Sequence, residues 1–329
     1  MSLEGKVCIV TGATRGIGKG IALQLGAHGA TVYITGRTLK TLEGAEFPGS
    51  LEETAEEVVA RGGECIPVRC DHKNDDEVKA LFAQVSKEQN GRLDLLVNNA
   101  YSAFHAVVNN IAVPFWELGD DVYDEINQVG LRNHYFCSVM AARLMVPRKS
   151  GLIVNISGHG GMVHTFNVPY GIGKEGCDRM AADCALELKT HNVAFVSLWP
   201  CVVLTEGSQM VVNDPKIVSK MIKMAGVSEE KLKSSYKYGE SIEYVGRCVV
   251  HLANDPNIMS KSGKIHITGD LGDYYGFLDD AGHKPINIRR INCLVKHFTP
   301  SWVSWLSYLI PDFVKIPSWL MSFAGHKLN

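Results

Sequence analysis

The sequence predicts a doubly wound α/β domain on a seven-stranded parallel sheet, followed by an aromatic-rich C-terminal appendage. Three observations point there. Short β-branched runs alternate with amphipathic helical stretches from Lys6 to Thr268. A glycine-rich loop lies between the first strand and the first helix. From about Leu271 the alternation stops, which divides the chain into an α/β unit, 1–270, and an arm, 271–329.

The elements follow in order. Lys6–Thr11 reads as the first strand and Gly16–His28 as the first helix. Thr31–Thr35 is the second strand, then an irregular Thr38–Ser50 and a helix over Leu51–Arg61. Glu64–Arg69 reads as a strand, Asp75–Gln89 as a helix and Leu93–Asn98 as a strand. Trp116–Pro147 holds one or two helices, Gly151–Ile156 a strand, Pro169–Thr190 a helix and Val193–Trp199 a strand. A polar stretch with helical pieces, Glu206–Tyr238, precedes a helix over Ile242–Asn254 and a last strand over Lys264–Thr268. A strand–helix rhythm of this kind places parallel strands under helices on both faces.

Composition sets bounds. Of 329 residues 46% are hydrophobic, enough for a sizeable core. A formal charge of −2 argues against a nucleic-acid surface. The nine cysteines form no C-x-x-C pair and read as reduced thiols in a reducing compartment. The start of the chain runs straight into a strand, so no signal peptide is expected, and no 18-residue apolar run suggests a spanning helix.

Tyr170 and Lys174 stand at i and i+4 in a helical stretch, which places both side chains on one face. An ammonium beside a phenol favours the phenolate, so the pairing predicts a Tyr170 pKa below the ordinary value of about 10. A phenol so tuned can exchange a proton with a carbonyl or alcohol oxygen.

The loop Thr11-Gly-Ala-Thr-Arg-Gly-Ile-Gly18 sits between strand and helix. In that context glycines let the backbone turn tightly and approach a pyrophosphate held at the helix N-terminus. Gly12, Thr14, Arg15, Gly16, Ile17 and Gly18 are therefore expected at a dinucleotide. A site for NAD wants a carboxylate at the end of the second strand. Here Thr35-Gly36-Arg37-Thr38 has none, and Arg37 with Arg15 can fork a 2′-phosphate, so the expected cofactor is NADP(H). His159 and His164 lack a third ligand, and no metal is expected. Ser157 lacks the G-x-S-x-G frame of a hydrolase.

Together these residues resemble the short-chain dehydrogenase/reductase family over roughly residues 4–270. T-G-x-x-x-G-x-G matches Thr11–Gly18, the N-N-A segment matches Asn98 to Ala100, and Y-x-x-x-K matches Tyr170 and Lys174. The P-G-x-V-x-T stretch matches Pro200 to Thr205. The resemblance implies a Rossmann-type fold with Asn127, Ser157, Tyr170 and Lys174 as catalytic residues. It implies Asp71 at the adenine and Asn98 beside the cofactor, with Pro200, Val203 and Thr205 at the nicotinamide carboxamide. In the family, the residue matching Asn127 holds a water that links the lysine to solvent. The implied activity is NADPH-dependent reduction of a lipophilic ketone, aldehyde or quinone, steroid or xenobiotic, with Tyr170 as general acid. The alternatives are alcohol oxidation, or a weakly catalytic NADPH-binding protein docked at a membrane. A homodimer or homotetramer is implied, paired through the helix bearing Tyr170 and the one before it. Three positions depart from the pattern: Tyr101 and Cys201 replace glycines, and Gly158 follows Ser157. Tyr101 either lines the substrate pocket or fills core space.

The arm differs in chemistry. Trp302, Trp305 and Trp319 fall here with Phe298, Tyr308, Phe313 and Phe323, cut by Pro300, Pro311 and Pro317. Arg289, Arg290, Lys296, Lys315 and Lys327 face only Asp312, a formal +4. Aromatics flanked by cations suit a membrane–water interface. Peripheral membrane contact through 289–329 is thus one expectation, and an arm packed over the substrate pocket or on a partner subunit is the other. The resulting localisation is intracellular, cytoplasmic or on the cytosolic face of the endoplasmic reticulum. The Gly- and Pro-containing Glu43–Ser50 lies near the expected 2′-phosphate site, where it could act as a cover.

Overall fold

The computed structural model describes residues 1–41, 43–299 and 301–325. Its strands are β1 (Val7–Val10), β2 (Thr31–Gly36), β3 (Glu64–Arg69), β4 (Leu95–Asn98), β5 (Gly151–Ile156), β6 (Val193–Trp199) and β7 (Ile265–Ile267). They form one parallel sheet in the order β3-β2-β1-β4-β5-β6-β7. This is the doubly wound architecture that the alternation predicts. Every residue of β1, β4 and β6 is buried, as strands covered on both faces must be.

The helices of the first half are α1 (Gly16–Ala27), α2 (Leu51–Ala60), α3 (Asp75–Glu88), α4 (Phe104–Asn109), α5 (Val122–Asn127) and α6 (His134–Met145). Next come α7 (Val168–Leu188), α8 (Glu206–Asn213), α9 (Pro215–Ala225), α10 (Glu229–Lys237), α11 (Ile242–Asn254) and α12 (Ile258–Lys261). The arm contains α13 (Thr268–Tyr275), α14 (Ile291–Phe298), α15 (Ser301–Ser304) and α16 (Ser318–Gly325). One apolar core lies between the sheet and α1, α2 and α11, and a second between the sheet and α3, α6 and α7. The strand order reverses between β1 and β4, so the loops after those two strands open a crevice at their C-terminal ends.

Within Trp116–Pro147, α5 runs into α6 through a π-helical turn at Gln128–Asn133. Such turns insert one extra residue per turn and swing the following side chains, and they recur at functional sites. Asn127 stands at this junction.

The arm leaves β7 directly through α13. Asp270 of α13 accepts from Arg289 at 2.5 Å and Lys315 at 2.7 Å. Asp273 pairs with Arg290 at 2.6 Å and Lys315 at 2.7 Å. This corrects the charge reading of the arm. Three of its five cations are bound to carboxylates of α13, so they tie the 289–329 stretch back to the helix that follows β7. Pro300 and Lys327 lie outside the described residues, as do the side chains of Phe298 and Phe323. Among the described residues no helix is long and apolar enough to cross a membrane.

Candidate active site

Two cavities meet at the crevice. The first, of about 320 Å³, is lined by Gly12, Thr14, Arg15, Gly16, Arg37 and Asp71, among others. Its glycines turn as the motif requires: Gly12 and Gly16 have φ of 68° and 56°, a region that favours glycine. Gly18 stands behind the loop, where an added Cβ would strike the Gly12 carbonyl and the Asn99 amide. No acid stands in the first turn of α1, and its N-cap, Arg15, makes no side-chain capping bond. The open N–H groups and positive helix end suit an anion.

At the far end of this groove Arg37 is exposed and Arg15 partly buried. Burial lowers the Arg15 pKa, Glu206 opposes that shift, and the Arg37 guanidinium adds to it. Two like charges held together favour an anion between them. Arg15 also donates to the carbonyls of Pro48 (3.0 Å) and Gly49 (3.3 Å) and lies over the Phe47 ring at 5.7 Å. Phe47 packs edge-on against Phe104 with centroids 5.1 Å apart, and both rings line the groove. The 43–50 segment is therefore a wall of the groove, a role its composition does not reveal.

Asn98 departs from expectation. Its amide donates to Ser138 Oγ (2.9 Å), Asn155 Oδ1 (2.8 Å) and the His134 carbonyl (3.2 Å), deep in the core. Successive strand side chains point to opposite faces, so the next residue, Asn99, lines the groove instead. Asn99 donates from its amide to the Thr11 and Gly12 carbonyls, both at 2.9 Å, and braces the glycine loop.

The second cavity, about 940 Å³, shares Ile17, Asn99, Tyr101 and Thr205 with the groove, so the two are continuous. Ser157, Tyr170 and Lys174 line it, with Pro200 and Val203. The local sequence positions them. Asn167 caps α7 by accepting from the Tyr170 N–H at 3.0 Å, which fixes Tyr170 in the first turn. The phenol ring packs edge-on against Phe166 at 5.0 Å and leaves no room for a Cβ at Gly160. Lys174, one turn on, donates to the Ile156 carbonyl at 3.2 Å, and Ser157 Oγ donates to the Lys174 carbonyl at 3.1 Å. The Lys174 ammonium stands 5.3 Å from the Tyr101 ring centre and 5.8 Å from that of Tyr170. Asn127 donates to the Pro169 carbonyl at 3.1 Å, while its Oδ1 faces Gly173 and has no partner among the described residues.

The Tyr170 pKa runs against the spacing argument. Burial, with the Cys177 thiol adding, pushes the phenol up to about 12. Burial also lowers the Lys174 pKa. Desolvation outweighs the neighbouring cation because the pair sits inside a deep wall. Tyr101 fills the space beside Gly130, whose Cβ would meet its ring at 2.7 Å, and also lines both cavities. With 39% of its surface exposed and no place in the apolar cores, it is a wall residue of the cavities and not core filling.

Two buried acids support the site without appearing in any motif. Asp178, one turn beyond Lys174, accepts from Ser197 Oγ (2.5 Å) and Trp199 Nε1 (2.9 Å), and burial raises it to about 6. Glu240 accepts from the Cys201 N–H at 2.5 Å and Thr268 Oγ1 at 2.6 Å, and burial raises it to about 8. Cys201 keeps its loop geometry through that bond. Among the described residues no three His, Cys, Asp or Glu side chains group as metal ligands.

The arrangement can bind a dinucleotide along the groove and present a phenol, a hydroxyl and an ammonium to a ligand in an apolar cavity. Comparison with known proteins agrees with that layout. The family model for short chain dehydrogenases matches residues 6–216. Dehydrogenase/reductase SDR family member 1 of Mus musculus is 46% identical over 99% of this chain and 98% of its own. The Homo sapiens protein of that description is 45% identical over the same shares. Among solved structures, a putative short-chain alcohol dehydrogenase from Sinorhizobium meliloti superposes with a TM-score of 0.66 at 25% identity. That match covers 84% of this chain and 99% of the other.

Proposed function

Since the chain belongs to the short-chain dehydrogenase family of oxidoreductases, we propose that it is an NADPH-dependent carbonyl reductase for lipophilic ketones, aldehydes or quinones, steroid or xenobiotic. The observation that carries this reading is the placement of Tyr170, Ser157 and Lys174 on the wall of a 940 Å³ apolar cavity continuous with the glycine-loop groove. The groove fits NADP(H): open N–H groups at α1, paired arginines, and no acid after β2. When bound, the nicotinamide supplies the hydride.

The residues do the rest. Arg15 and Arg37 fork the 2′-phosphate, and Asp71 lies where the adenine end would rest. Ser157 Oγ turns from the Lys174 carbonyl to donate to the substrate oxygen and stabilise its developing charge. Tyr170 donates the proton. A phenol pushed up to about 12 by burial carries its proton at neutral pH, the form in which it can donate to a substrate oxygen. Lys174 holds the phenol's surroundings positive. The apolar cavity excludes water and favours a lipophilic partner. Turnover of a carbonyl panel with NADPH, and none with NADH at equal concentration, would support this reading. No turnover of any carbonyl would refute it.

A second reading concerns location. Trp302, Trp305, Tyr308, Phe313 and Trp319 are all exposed on the arm, while Ile316 and Met321 line the cavity. We propose that this aromatic face rests on a lipid surface, such as the cytosolic face of the endoplasmic reticulum, with the arm covering the cavity. Exposed Tyr135, Ile172 and Leu186 on α6 and α7 support pairing of two copies through those helices.

A further inference from the structure

One charged group in the cavity has no part in the proton chemistry. Lys231, from α10, lines the second cavity beside Leu232, Met221, Met224 and Val227. Its ammonium nitrogen is buried and has no hydrogen-bond partner among the described residues. The contrast within the helix is direct. Lys233, two residues on, pairs with Glu229 at 2.7 Å on the outer face. Lys231 takes neither Glu229 nor Glu230 and turns inward instead. His297 of α14 lines the same cavity, and burial followed by the Lys296 and Lys231 charges lowers its pKa.

A buried ammonium carries three donors and a full charge, and leaving both uncompensated is costly. An apolar wall cannot supply the acceptor. A ligand can, if it brings an anion to that point. We infer that the cavity receives an amphiphile: a lipophilic carbonyl compound whose own carboxylate pairs with Lys231, with the His297 ring on the same wall able to donate a second bond. This rests on the reductase reading for the carbonyl and on Lys231 alone for the carboxylate. It selects, within the broad class of lipophilic ketones, those with an acid at one end.

The test is a matched pair: a long-chain oxo fatty acid and its methyl ester, below their micelle threshold, with NADPH present. Affinity is read by titration calorimetry on the full chain, and reduction is read separately. A charge-assisted hydrogen bond predicts that wild type binds the acid about 10- to 100-fold tighter than the ester. Lys231→Met should lose that preference and Lys231→Arg should keep it. Should Lys231→Met fail to fold, Lys231→Gln replaces it. Equal affinity for acid and ester in the wild type overturns the inference, as does a preference that survives the neutral substitution. If the acid is preferred but neither compound is reduced, the carboxylate site stands and the reductase reading is decided by the wider carbonyl panel. If both are reduced with equal affinity, the carboxylate site falls and the reductase reading stands.

Discussion

Replacing Arg37 by alanine tests the proposed preference of the groove for a 2′-phosphate. Arg37 is exposed at the groove and forms no ion pair with another described residue. Arg15 is a poorer choice, since its guanidinium also holds the Pro48 and Gly49 carbonyls and its loss would loosen the 43–50 wall. A hydrogen bond to a charged group contributes about 1.5–3 kcal/mol, roughly 10- to 150-fold in Kd. Exposure and salt screening place Arg37 in the lower part of that range, about 10- to 30-fold. Titration of nicotinamide fluorescence should therefore give wild-type affinity for NADPH well above that for NADH. Arg37→Ala should weaken NADPH by that factor and leave NADH within about twofold, an allowance for ordinary surface substitutions. Tighter binding of NADH by wild type, or an equal loss for both cofactors in the variant, would refute the argument.

Other consequences are more local. Gly18→Ala drives a Cβ into the Gly12 carbonyl and the Asn99 amide, so the loop must shift, and calorimetry should find cofactor binding reduced at least about a hundredfold with the fold retained. Burial raises the folded pKa of Glu240 from its ordinary 4.5 to about 8, so the folded chain holds that proton more tightly than the unfolded chain. Its contribution to stability is complete below about 4.5 and is lost as pH rises through 8. Glu240→Gln cannot ionise, so its melting temperature should fall less than that of wild type between those limits, by a difference worth a few kcal/mol (~1.4 per pKa unit). Changing the exposed Trp302, Trp305, Tyr308 and Phe313 to serine should weaken flotation with anionic vesicles by at least about tenfold for each ring that enters the lipid, because each such ring contributes ~1.5–3 kcal/mol. Unchanged flotation would remove the membrane reading.

The sequence carries the frame of this molecule openly. Seven β-branched runs, each bounded by a helix, specify a parallel sheet, and the glycine loop marks its crevice because its function depends on consecutive backbone positions. Tyr170 and Lys174 are legible for the same reason, since helical spacing fixes their common face. What stays hidden depends on contacts between distant segments. Asn98 and Asn99 are indistinguishable as letters, and only the pleat of β4 decides which one faces the groove. The fall in the Tyr170 pKa expected from Lys174 gives way to a rise, because spacing reports the nearby cation and says nothing of desolvation. Half of the arm's +4 charge is answered by Asp270 and Asp273, which lie before the stretch in which it was counted. Phe47, Asp178, Glu240 and Lys231 belong to no motif. Each gains its role from burial or from a wall it shares with residues far along the chain.

The central claim is that Tyr170 delivers the proton while the groove holds NADPH. It is tested most directly by single-turnover reduction of a lipophilic ketone by the wild type and Tyr170→Phe, with NADPH affinity measured on both. General acid catalysis contributes about 10²- to 10⁴-fold. The account predicts a loss of that size in the hydride-transfer rate, with NADPH binding within about twofold of wild type, since the ring that packs on Phe166 is preserved. A Tyr170→Phe enzyme that keeps most of its rate would contradict it.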